Sequence, residues 1–109
     1  MNPRHRVDME PARNLPGATL NASGEVRHAN YFWKQLLGRN PEMFSKGNRY
    51  RIEELGLSAK VDATWVKHNS AHQSFMKEVL HHHHIDHGRI AVPLPKTIHE
   101  KWTSVLHGK

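Results

Sequence analysis

Residues 80–107 read LHHHHIDHGRIAVPLPKTIHEKWTSVLH, and the fold class turns on how this stretch divides. The segment MKEVLHHHH that ends at His84 is short and extended in character, and GRIAVPL (88–94) is a second apolar run rich in branched residues. Between them, Asp86 and Gly88 suit a turn. Beyond Pro95, Ile98, Trp102, Val105 and Leu106 fall at i, i+4, i+7 and i+8, which is one face of a helix that Gly108 can end. The expected order is strand, turn, strand, helix.

Towards the N-terminus the pattern changes. ANYFWKQLLG places Tyr31, Phe32 and Leu36 at helical spacing, with Gly38 suited to the position past a helix end. Asn40 followed by Pro41 is a second helix start, and NRYRIEELGL suits a further short helix ending near Gly56. Asp62 can cap a helix that turns Trp65 and Val66 inward. Residues 1–28 hold Pro3, Pro11, Pro16, Gly17 and Gly24 and few large apolar side chains, so they read as a linker or loosely ordered arm. The expected class is therefore α+β, a mostly helical N-terminal half followed by a two-strand-and-helix core at about 76–107, within one domain spanning 29–109.

Composition removes several function classes. The chain has 109 residues and no cysteine, so disulfide frameworks and thiolate metal sites are excluded. No apolar run approaches the roughly 18 residues of a membrane span. A formal net charge of +6 favours phosphate-bearing or acidic partners. The basic residues are scattered along the chain, which points to a folded basic surface rather than a charged tail. There is no Gly-rich phosphate loop and no nucleophile elbow.

The histidines carry the chemistry. Four are consecutive, His81–His84, inside the chain and flanked by Val79, Leu80 and Ile85, which is not the setting of a terminal tag. Hydrolysing a phosphodiester needs a base for water and a cation for the charge developing on phosphate. A hairpin carrying base and ligand, crossed by a helix carrying further ligands, supplies both. Side chains of neighbours on a regular strand face opposite ways, but at a strand end the chain can bend and bring them to one site. The histidine run is expected at such an end, with His99 pointing back from the first turn of the helix.

This stretch resembles the toxin nucleases of the HNH/endonuclease VII superfamily, in particular the LHH and HHH groups at the C-termini of bacterial polymorphic toxins. The features that carry the resemblance are Leu80 with His81–His84, Asp86 with Gly88, Pro95-x-x-x-His99 and Leu106-His107. The resemblance implies a His-Me finger (ββα-metal) core and a metal-dependent endonuclease, with DNA favoured as substrate. Carried over by position, His82 and His99 would be metal ligands, with His107 as a less direct third, and His83 would be the general base. If the register shifts by one, His83 would be the ligand and His84 the base. Arg89 and Lys96, which flank the run, could neutralise substrate phosphate. The cofactor would be one divalent ion, Mg²⁺, Mn²⁺, Ni²⁺ or Zn²⁺, because imidazole and carboxylate ligands do not single one out. The resemblance also implies delivery from the producing bacterium, action in a target-cell cytoplasm and neutralisation by a cognate immunity protein. The basic charge favours an acidic one.

Other residues have plainer readings. His68 and His72, four apart, could share a helix face and hold a metal, though Asn69 and Ser70 weaken a helix there. His5, His28 and His87 read as solvated, and the aromatic residues of the front half read as core. Two alternatives to the metal-dependent endonuclease are a non-catalytic basic module that binds metal and nucleic acid, and an RNase using histidine acid–base chemistry without metal.

Overall fold

The computed structural model describes residues 5–85 and 89–106, the last five of these as helix backbone only. Three antiparallel strands form the main sheet: β1 (Val7–Asp8), β4 (Leu80–Ile85) and β5 (Ile90–Pro95), in the order β1-β5-β4. A small hairpin pairs β2 (Thr19–Leu20) with β3 (Val26–Arg27). The helices are α1 (Ala29–Arg39), α2 (Lys46–Glu53), α3 (Ala63–His68) and α4 (Lys96–Leu106).

β4 and β5 pair along their whole length, from Leu80 opposite Pro95 to Ile85 opposite Ile90. Proline lacks the N–H a ladder needs, yet Pro93 and Pro95 are tolerated here. β1 is only two residues long and pairs with Ile90 and Ala91, which leaves the outer side of β5 open beside both prolines. Alternation then gives the sheet two distinct faces. Leu80 and Ala91 point with Val7 into the core, where α1 supplies Phe32, Trp33 and Leu36, and Phe44, Ile52 and Trp65 close the other side. All nine are buried. Complete burial of one such large side chain stabilises the fold by about 1.5–3 kcal/mol. The opposite face meets α4.

Local sequence explains the helix starts. Ser45 Oγ accepts the Asn48 N–H at 3.1 Å to open α2, and Asp62 Oδ1 accepts the Trp65 N–H at 2.9 Å to open α3. α1 is capped by a histidine: His28 Nδ1 accepts the Tyr31 N–H at 3.1 Å, while its Nε2–H donates to the Pro16 carbonyl at 2.9 Å. α1 runs through Gly38 to Arg39, one turn's edge beyond the expected stop, and Asn40 caps its end with an Nδ2–H bond to the Leu36 carbonyl. Pro41–Met43 is a single 3-10 turn rather than a helix.

The reading of residues 1–28 as a loosely ordered arm is corrected by the structure for the described part, 5–28. Val7, Met9, Ala12 and Val26 are all buried in the core. Asp8 receives a two-nitrogen bond from Arg89, with Nε 3.0 Å and Nη2 2.8 Å from its carboxylate. The apolar residues of this stretch are single and widely spaced, so no periodicity betrays them. They contribute because separate short strands deliver them to one place. His5 and His28, expected to be solvated, are respectively buried and engaged as a helix cap.

Candidate active site

The histidine run lies within β4 rather than at a bend, so its members alternate between the two faces of the sheet. His82 and His84 face the α1 side. The His82 ring stacks on Phe32, with centroids 5.6 Å apart and planes at 29°, and its buried Nε2 has no hydrogen-bond partner among the described residues. His84 Nε2–H donates to the Val26 carbonyl at 2.6 Å and so ties β4 to the small hairpin. His81 and His83 face α4, where His99 stands on the helix's first turn. His81 Nδ1 and His99 Nδ1 are 2.8 Å apart, one donating to the other. The His83 and His99 rings lie 5.3 Å apart at 71°.

Burial sets the protonation of this cluster, because a low-dielectric surround disfavours the charged imidazolium. Burial, helped by His84 and Arg27 nearby, pushes His82 down to about 4. His83 is lowered by burial and then by His84, and His99 by burial and then by His81. At neutral pH these three rings are neutral, which is the form that accepts a proton or binds a metal.

A cleft of about 450 Å³ opens along the free edge of β4. It is lined by His81, His82 and His84 of β4 and His99 of α4, together with Asn21, Arg27, Ala29 and Ser58. Strand alternation accounts for this: at an edge strand, side chains of both faces border the same opening.

The other residues singled out from sequence fall elsewhere. Neither Arg89 nor Lys96 lines the cleft. Arg89 is held by Asp8 across β1 and β5, and Lys96 lies 3.8 Å from Glu100 one turn along α4. His107, Asp86 and His87 lie outside the described residues. His68 and His72 do not share a helix face, because α3 ends at His68 and a 3-10 turn follows. His72 Nδ1 instead accepts the indole N–H of buried Trp65 at 2.9 Å. Sequence reading missed His81 as the partner of His99, and it missed Arg27. For His81 the signal was available: on a regular strand, residue 81 shares a face with 83.

The donors suit a divalent ion in part. His81 and His99 offer nitrogens at a separation close to the ~3 Å of two neighbouring ligands at about 2.1 Å from one metal. The buried Nε2 of His82 is a further imidazole donor. Among the described residues, no three His, Asp or Glu side chains stand close enough together to form a complete metal site.

The fold and the site together define a basic α+β domain with four histidines lining one cleft. Residues 3–108 match the model of the family described as HNH/Endo VII superfamily nuclease toxin with a HHH motif. The chain belongs to that family and is a nuclease toxin. No curated protein and no solved structure matches it. Among the described residues, no helix is long and apolar enough to cross a membrane.

Proposed function

We propose that this domain is a metal-dependent endonuclease that hydrolyses DNA, with a ββα-metal core formed by β4, β5 and α4. The observation that carries the reading is the convergence of His81, His83 and His99 on one face, where the hairpin meets the start of α4. His99 and His81 would hold the divalent ion, with His107 a candidate third ligand. This replaces His82, whose ring faces the opposite side of the strand, as the partner of His99. When bound, the ion supplies positive charge against the charge that develops on the phosphate oxygens.

His83 is the base in this reading. Burial keeps it neutral at pH 7, so it can take a proton from water. His84 fits that role less well, because its Nε2–H is committed to the Val26 carbonyl. The proposal extends to the toxin's setting, with the family and the charge as its support. The domain is delivered into the cytoplasm of a target cell and is neutralised at home by an immunity protein, and the net charge of +6 favours an acidic one.

The test incubates metal-stripped protein with supercoiled plasmid and, separately, with RNA, adding back Mg²⁺, Mn²⁺, Ni²⁺ or Zn²⁺. Plasmid nicking that requires metal and is lost in His83→Ala is the expected result. Cleavage of RNA that persists in EDTA would replace the proposal with metal-free histidine catalysis. No cleavage of either polymer would leave a binding module.

A further inference from the structure

We propose that Arg27 is the phosphate-binding residue of this site: its guanidinium holds a phosphodiester of the nucleic-acid strand in the cleft that His81 and His99 also line. The inference rests on the nuclease reading above and adds the residue that captures the substrate.

Arg27 is held on a constrained stretch of backbone. It ends β3, where Val26 is buried in the core and Arg27 turns the other way, into the cleft. The backbone on both sides is pinned by histidines. The carbonyl of Val26 accepts the His84 bond, and His28 caps α1 while donating to Pro16. The turn before β3 is equally fixed, with Asn21 Oδ1 accepting the N–H groups of Ser23 and Glu25 at 2.9 Å each. A guanidinium presented from so constrained a backbone loses little freedom on binding.

Three other cations, two of them flanking the histidine run in sequence, are already engaged. Arg89 has Asp8, Lys96 has Glu100, and Arg51 Nε donates to the Ser58 carbonyl at 2.8 Å. Among the described residues that line the cleft, Arg27 is the one Arg or Lys, and no carboxylate there pairs with it. A planar fork of donors matches two phosphate oxygens in a way that an ammonium does not. The cleft volume of about 450 Å³ falls within the range of roughly 300–1,000 Å³ usual for small-ligand sites, enough to admit a nucleotide unit.

The experiment pairs two readouts on Arg27→Ala, Arg27→Lys and the surface control Lys67→Ala. One is kcat/KM for plasmid cleavage with metal. The other is the salt dependence of binding to a short labelled DNA duplex in EDTA. Arg27→Ala should lower kcat/KM by about 100-fold, the scale of losing one donor to a developing oxyanion. It should also reduce the slope of log affinity against log salt by about one, the signature of one lost phosphate contact. Arg27→Lys should regain the slope but only part of the rate, and Lys67→Ala should cleave as the wild type does. Melting curves should coincide, because the Arg27 side chain is exposed. If wild type cleaves and Arg27→Ala cleaves equally with an unchanged slope, the assignment of Arg27 is overturned and the nuclease reading stands. If wild type cleaves neither DNA nor RNA, the nuclease reading fails. The binding slope of Arg27→Ala then decides this proposal alone: an unchanged slope overturns it, and a loss of about one upholds it.

Discussion

His82→Phe should make the metal-free protein more stable at neutral pH and less sensitive to acid. In the folded chain the imidazole is stacked on Phe32 with Nε2 buried and without a hydrogen-bond partner among the described residues. Leaving such a group unsatisfied costs about 1–3 kcal/mol, and a phenyl ring removes the atom while keeping the stack. The acid sensitivity has a definite sign. The folded-state pKa is about 4 against an ordinary value of 6.5, so the unfolded chain binds this proton first as pH falls. Stability from the neutral ring is therefore fully present above about pH 6.5 and is lost progressively down to about pH 4. A depression of that size corresponds to roughly 3 kcal/mol, since each pKa unit is about 1.4 kcal/mol. The assay is urea unfolding of both proteins in EDTA between pH 7.5 and 4. The other lowered histidines and the carboxylates contribute to both curves, so the difference between the proteins isolates residue 82. A wild type that does not lose at least about 2 kcal/mol relative to His82→Phe across that range would refute the buried neutral imidazole. The same pair tests the ligand assignment. If His81 and His99 hold the ion, added metal should raise the melting temperature of both proteins, whereas a His82 ligand would confine the effect to wild type.

Asn48→Ala should cost about 2–3 kcal/mol in urea unfolding, because its buried amide donates to the Lys60 carbonyl at 2.8 Å and accepts the Lys60 N–H at 2.9 Å. A loss below about 0.5 kcal/mol would show that water replaces these bonds. Met9→Ala should destabilise by about 2–5 kcal/mol, as expected for a fully buried side chain, whereas a true arm would register no change in melting temperature. His83→Ala should reduce the rate of plasmid cleavage by about 100- to 10,000-fold while leaving metal affinity by calorimetry within a few fold. Lowering pH below about 6.5 should weaken the Trp65–His72 contact, since burial holds His72 neutral and protonation removes its acceptor. Tryptophan fluorescence should change over that range in wild type and not in His72→Phe.

The sequence by itself determined those parts of this protein that depend on local pattern. Alternating and branched runs separated by Asp86 and Gly88 define β4 and β5, the i, i+4 spacing after Pro95 defines α4, and Asp62 opens α3, because capping and periodicity act within a few residues. The density of histidines and the absence of cysteine likewise restricted the chemistry to imidazole and carboxylate. Tertiary structure alone decided which histidines meet. Their faces follow from whether the run is a bend or a regular strand, and six consecutive pairings with β5 make it a strand. It also decided that Arg89 belongs to Asp8, 81 residues away, and that Arg27 lines the histidines' cleft from a hairpin the sequence shows only as a Pro- and Gly-rich arm. For Arg89 and Arg27 the physical reason is the same. A two-residue strand has no period to detect, and its side chains acquire a position only from the pairing and burial that long-range contacts impose.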